Sequence, residues 1–149
     1  IAAGHCDFVS SDHVSWGLEK KGNENIFANT SGGPGIETLL PAFWTGCEEH
    51  GISPTMDVKQ LSEGPARCFQ LADKGALAAG KDADIVVLEP GRFVHDPSRS
   101  FSAVRWSSFE GREFSVRVAA TYVRGQLAYD GEQIVNQPGD GMFLRPAAV

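Results

Sequence analysis

Four apolar or small residues, Phe8-Val9-Ser10-Ser11, lead straight into Asp12-His13. The run predicts a short buried strand that presents two chemically active side chains at its carboxyl end. In a parallel α/β barrel, that end of a strand is where catalytic groups gather. A carboxylate so placed can ligate a metal or take a proton from an activated water. An Asp-His pair at a strand end also serves as a turn or a helix cap, so the rest of the chain has to decide between these roles.

The chain divides in two. Up to about Leu71 the predicted order is strand, long loop, helices; beyond it strands dominate. The loop from Val14 to Gly35 is rich in Gly, Asn and Ser. A loop this long in a compact domain is usually functional or disordered. Trp16, Ile26 and Phe27 offer it apolar anchors, which predicts an ordered active-site loop. Ile36, Leu39, Leu40 and Phe43 then fall at helical spacing, and Gly46 to Gly51 closes that helix. A second helix is predicted after Ser53-Pro54-Thr55, ending at Gly64-Pro65, and Pro65 opens a short third one.

In the second half, Ile85-Val86-Val87-Leu88 predicts a strand buried on both faces or nearly so. Arg92 to His95, Val116 to Val123 and Gln126 to Tyr129 predict further strands. Asp130-Gly131 is a hairpin turn signal before a last strand, Gln133-Ile134-Val135. Residues 136-149 read as a surface tail.

Of the 149 residues, 42% are hydrophobic, enough to bury a core. The formal net charge is -6 and the thirteen basic residues form no run, which argues against a nucleic-acid or anionic-membrane partner. No stretch reaches the ~18 apolar residues of a membrane span. The start, Ile1-Ala2-Ala3-Gly4, lacks a signal-peptide pattern and reads as the last turn of a helix, as expected of a piece of a longer protein. Cys6, Cys47 and Cys68 are odd in number and widely spaced. They predict small buried thiols in a reducing cytoplasm rather than a cysteine zinc site.

Several runs together resemble one family. They are Ser11-Asp12-His13, then Ser31-Gly32-Gly33-Pro34-Gly35-Ile36-Glu37, then Gly64-Pro65-Ala66-Arg67, then Lys74-Gly75 through Gly80-Lys81-Asp82-Ala83-Asp84-Ile85-Val86-Val87. This order is similar to the carboxyl-terminal part of the cyclic-amide hydrolases of the amidohydrolase superfamily: dihydropyrimidinase (hydantoinase), allantoinase and dihydroorotase. The runs Phe109 to Phe114 and Val118 to Gly125 resemble that family's closing strands. Each motif is modest alone; their shared order is specific.

The resemblance implies an α/β fold. Residues 1-71 would be the last strand and helices of a (β/α)8 TIM-type barrel, and residues 72-135 the carboxyl-terminal strands of a small β-sandwich. It implies that Asp12, at the end of the eighth barrel strand, ligates one of two divalent metal ions and shuttles a proton. Zinc is the default for such mixed N/O ligand sets, and a carboxylated lysine absent from this chain would bridge the pair. It also implies that the main chain of Ser31, Gly32 and Gly33 holds the amide edge of a small cyclic amide or ureide, and that the complete protein is a homo-oligomer, a dimer or tetramer. The family's His-x-His pair has no counterpart here. His5, His50 and His95 do not match its metal positions, and Lys20 and Lys21 follow Asp12. The chain alone is therefore expected to be inactive. A non-catalytic scaffold of the same fold and an independent small binding domain are the rival readings.

Other residues carry plainer expectations. His13 orients Asp12, touches a ligand or bonds to backbone. Glu37 suits a helix dipole or cap. Arg67 ties its short helix to the barrel. Asp82 and Asp84 are turn residues, Trp16 anchors the loop, and Trp44 and Trp106 are core or interface aromatics.

Overall fold

The computed structural model describes residues 1–53 and 55–147. Pro54, expected just before the second helix, and the last two residues of the tail lie outside them. Helix α1 spans Leu39–Glu49. It begins later than the apolar spacing suggests. Ile36 to Thr38 form a turn, and the Thr38 carbonyl accepts from the Ala42 N–H at 2.9 Å. Pro41 thus sits in the first helical turn, where a missing N–H has no intrahelical partner to lose.

The next helical stretch is continuous: α2, Thr55–Val58, runs through a π-helical turn, Lys59–Glu63, into α3, Gly64–Cys68. The sequence predicts a break at Gly64-Pro65. A proline ring inside a helix clashes with the carbonyl four residues earlier, and the wider π turn ahead of Pro65 relieves that clash without ending the helix.

Three antiparallel strands form one sheet in the order β1-β2-β3: Ile85–Val94, Glu113–Val123 and Gln126–Tyr129. The two predicted strands Ile85 to Leu88 and Arg92 to His95 are one strand, β1. Its register slips between Val87 and Leu88 and again between Pro90 and Phe93. Proline cannot donate to a ladder, and β1 is an edge strand, so the chain passes Pro90-Gly91 without leaving the sheet. Val86 and Val87 are 46% and 43% exposed, which corrects the expectation of burial on both faces. The reason is the layering: α1 lies against β2, not β1.

Arg124 and Gly125 both have positive φ, 49° and 78°. That is the geometry of a two-residue hairpin turn matched to strand twist, and it joins β2 to β3. The last predicted strand, Gln133 to Val135, is reduced to a single bridge between Tyr129 and Ile134. Residues 109 to 112, read as part of a closing strand, form a turn instead; β2 begins at Glu113.

Val116, Phe114, Cys47 and Ala66 form the buried core, with Pro41 and Pro97 also buried. Phe114 and Val116 alternate on β2, and α1 docks beside them. The Thr45 hydroxyl donates to the Pro41 carbonyl at 2.7 Å and accepts the Ser115 N–H at 3.0 Å. Arg112 pairs with Glu49 at 2.6 Å. Of the thiols, Cys47 is buried, Cys6 half-buried and Cys68 exposed, so the expectation of buried thiols holds for Cys47 alone. Cys68 is the last residue of α3, beyond the turn that carries the buried Ala66. No helix among the described residues is long and apolar enough to cross a membrane.

The second half is fastened by a charged knot. Lys74, its side chain only 13% exposed, pairs with Asp82 at 2.8 Å and also with Asp84. Asp84 accepts the Arg124 N–H at 2.8 Å. Both aspartates thus serve structure, as their turn positions suggest. Hydrogen bonds to Asp82 and then Asp84 push the Lys74 ammonium above its ordinary range. For Asp84, burial alone would push the carboxyl up, but the bonds from Lys74 and the Arg124 N–H outweigh it and hold the carboxyl below its usual range.

The signs follow from linkage. A depressed carboxyl contributes stability above its unfolded pKa, and the contribution is lost as pH falls through the folded value. A raised ammonium contributes below its unfolded pKa, and its contribution is lost as pH rises through the folded value. The knot should therefore loosen in acid below about pH 4 and in alkali above about pH 10.4. Asp84→Asn should remove the acid-side loosening of the 74–84 segment, read by amide exchange across the pH series. An unchanged acid profile in that variant would assign the loosening to other groups.

Candidate active site

The segment Phe8 to Ser11 is not a paired strand among the described residues. A strand needs a neighbour about 4.8 Å away on its hydrogen-bonding side, and neither side of this one has such a partner here. The segment instead lies along the α2–α3 run. The Val9 N–H donates to the Gln60 carbonyl at 3.0 Å, and the buried Gln60 side chain donates to the Cys6 carbonyl at 3.0 Å. Arg67 reaches Asp7 at 3.3 Å, the tie expected of it.

At the end of this segment Asp12 turns left-handed, with φ 46°. Asp tolerates that conformation better than most residues, and the turn redirects the chain beside the glycine run. His13 and Gly33 form a parallel bridge, and the Val14 N–H donates to the Gly33 carbonyl at 2.9 Å. The His13 Nδ1 accepts the Gly35 N–H at 3.1 Å and the Ile36 N–H at 3.3 Å. With Nδ1 accepting, the imidazole proton sits on Nε2. His13 thus bonds to backbone and positions the glycine run.

The glycines are required by contact. Gly32 has φ 75°, and a Cβ there would meet Val14 Cγ2 at 2.7 Å. A Cβ on Gly33 would meet the Trp106 ring at 2.9 Å, and one on Gly35 the Ser11 carbonyl oxygen at 3.3 Å. Trp106 is fixed in turn, its indole N–H donating to the Trp16 carbonyl at 2.7 Å. The run therefore lies flat against residues 11 to 14 and under an aromatic ring.

Asp12, Gly32 and Gly33 line one open cleft of about 460 Å³, with Phe43 of α1 and Phe109 on its walls. Asp12 is exposed at its edge. Ser31 is also exposed and lies next to the cleft in sequence, outside its lining residues. Phe109 was not visible as a wall in the sequence, where it reads as part of a strand.

The loop is ordered, but not by the expected apolar anchors. Ile26 and Phe27 are 74% and 95% exposed. Asparagines hold it: Asn29 accepts the Asn23 N–H and donates back to its carbonyl, both at 2.9 Å, and Asn25 caps the Phe27 N–H at 3.1 Å. The Lys21 ammonium bonds the Thr30 and Gly32 carbonyls. Trp16, 42% exposed, contributes its carbonyl to Trp106. Glu37 does not cap α1. Its carboxylate accepts from the Ser100 hydroxyl at 2.8 Å and the Ser102 N–H at 3.1 Å, because the helix starts beyond it.

Among the described residues no three His, Cys, Asp or Glu side chains gather closely enough to hold a metal ion. Asp12 is the one carboxylate among the residues lining the cleft. A metal centre at this cleft would need further ligands beside Asp12.

Comparison with known proteins places the chain in a family. The Amidohydrolase family matches residues 2–128. The chain is 34% identical over 147 residues to a D-hydantoinase of Ralstonia pickettii, covering 95% of this chain and 32% of that protein. It is 32% identical over 149 residues to an allantoinase of Bacillus velezensis, covering 100% of this chain and 33% of that protein. A solved D-hydantoinase superposes with a TM-score of 0.91 at 34% identity, over 97% of this chain and 33% of the other. The chain thus spans about a third of the length of the curated relatives it matches. Amidohydrolases generally depend on a binuclear metal centre. On the match across residues 2–128, the chain belongs to the amidohydrolase family.

Proposed function

We propose that the complete protein hydrolyses the carbon–nitrogen bond of a small cyclic amide or ureide. In this reading residues 1-71 close a (β/α)8 barrel, residues 72-135 supply the last strands of a β-sandwich, and residues 136-149 form a surface tail. The observation that carries it is the single cleft shared by Asp12, Gly32 and Gly33. Exposed apolar side chains such as Val86, Val94 and Leu77 support a surface that packs against the rest of a larger protein.

Asp12 would contribute one oxygen ligand to a pair of divalent ions, with zinc the default. The remaining ligands, including a carboxylated lysine, would come from outside this chain. When bound, such ions lower the pKa of water and polarise a carbonyl. The work of this chain's residues is then proton transfer and orientation. The Asp12 carboxylate accepts the proton released as water attacks and delivers it to the departing ring nitrogen. The Ser31–Gly33 main chain holds the ring's amide edge in plane, and the glycines allow that close approach.

The test is turnover by the full-length protein with zinc, against hydantoin, dihydrouracil, allantoin and dihydroorotate, each followed by ring opening. We expect hydrolysis of at least one, and none by the 149-residue chain alone. Full-length protein that binds no metal and opens none of these rings would favour a non-catalytic scaffold of the same family.

A further inference from the structure

We infer that Lys21 is a positioning residue for the substrate's amide edge, because its ammonium fastens the carbonyls on either side of the Ser31 carbonyl. The inference rests on the reading just proposed and extends it to a residue outside the cleft lining.

The Lys21 ammonium donates to the Thr30 and Gly32 carbonyls. Its side chain is part of a wider zipper. The Thr30 N–H donates to the Lys20 carbonyl at 3.1 Å, and the Thr30 hydroxyl to the same oxygen at 3.3 Å. No carboxylate pairs with Lys21 among the described residues. The cation is therefore committed to main-chain oxygens, and charge-assisted bonds of this kind are stronger than neutral ones.

The consequence shows in which groups of the glycine run remain free. Lys21 takes the Gly32 carbonyl, the Val14 N–H takes the Gly33 carbonyl, and His13 takes the Gly35 and Ile36 N–H groups. Among the described residues the Ser31 N–H and C=O have no partner. A cyclic amide or imide presents a donor and an acceptor side by side, and one residue with both main-chain groups free matches that pattern. The Thr30 carbonyl shares its peptide plane with the Ser31 N–H, and the Gly32 carbonyl lies in the plane after the one that carries the Ser31 C=O, so Lys21 fixes the first of Ser31's planes and brackets the second. Without Lys21 those planes can rotate, since Gly32 has no side chain to restrain them.

The test uses Lys21→Met and Lys21→Arg in the full-length protein, with steady-state kinetics and hydrogen exchange of the 29–36 segment. We expect Lys21→Met to raise KM about tenfold with kcat within about twofold, the signature of lost uniform binding. Exchange of the segment should speed up by a similar factor, and Lys21→Arg should recover most of both. A merely structural lysine would lower the active fraction, and hence apparent kcat, at unchanged KM; that result overturns the inference. Unchanged exchange in Lys21→Met overturns it as well. Should the unmodified protein open no cyclic amide, the reading of the site fails. The exchange measurement still decides whether Lys21 clamps the run.

Discussion

Asp12→Asn in the full-length protein is expected to lower kcat by on the order of 10²- to 10⁴-fold, the range that a positioned proton-transfer group supplies. The amide has nearly the size of the carboxylate but cannot accept the proton of the attacking water. The fold should survive. Asp12 has φ 46°, and Asn populates the left-handed region at least as readily as Asp. The side chain is also exposed, so no buried contact is removed. The check is kcat at saturating substrate, with metal content and far-ultraviolet dichroism measured on the same preparation. Near-normal kcat in a metal-loaded Asn variant would remove Asp12 from the chemistry. A metal-depleted variant that recovers when zinc is added would make Asp12 a ligand alone.

The largest expected effect on stability is at Gly64. A Cβ there would lie 2.1 Å from the Asp7 carbonyl oxygen and 2.7 Å from that of Lys59. Both obstacles are backbone, so no side-chain rotation relieves them. One belongs to the segment leading to Asp12, the other to the π turn. Gly64→Ala should destabilise the protein by about 3 kcal/mol, the upper part of the usual range for overpacking. Gly46→Ala is the matched control. It lies inside α1 with nothing within 4 Å of its Cβ position, and should be neutral or stabilise by about 0.5–1 kcal/mol through helix propensity. Denaturant midpoints of the two full-length variants decide the matter. Equal midpoints would mean that the approach of residue 7 to α3 is looser than the geometry indicates. Because Asp7 precedes Asp12 closely, the Gly64 variant should also lose turnover out of proportion to its folded fraction.

Three residues of the candidate cleft, Asp12, Gly32 and Gly33, were legible in the sequence. Asp12 at the end of an apolar run, and a glycine run some twenty residues later, stand out because each is a local composition that few other roles require. The helix of residues 39 to 49 and the strand of residues 113 to 123 were legible for a similar reason: apolar spacing is a local signal. The gap between the strands ending at Val123 and starting at Gln126 was legible, but not the left-handed arginine in it; Asp84, forty residues away, is what holds the Arg124 N–H. The apolar loop residues misled. Ile26 and Phe27 look like anchors, but the loop closes through Asn23, Asn25 and Asn29, whose side chains mimic backbone partners.

By itself, the sequence determined the family and the pieces of chemistry on offer: one carboxylate, one glycine run, and no second cluster of ligands. Those depend on residue type and order along the chain. The tertiary structure decided what meets what. It folded Lys21 back onto Gly32, set His13 against the Gly35 and Ile36 N–H groups, brought Phe109 to the cleft wall, and left β1 as an exposed edge. The first three are contacts between residues separated in the chain, and the last is the lack of one. Such contacts are set by which surfaces are left to bury once local structure has formed, and local pattern does not carry that information.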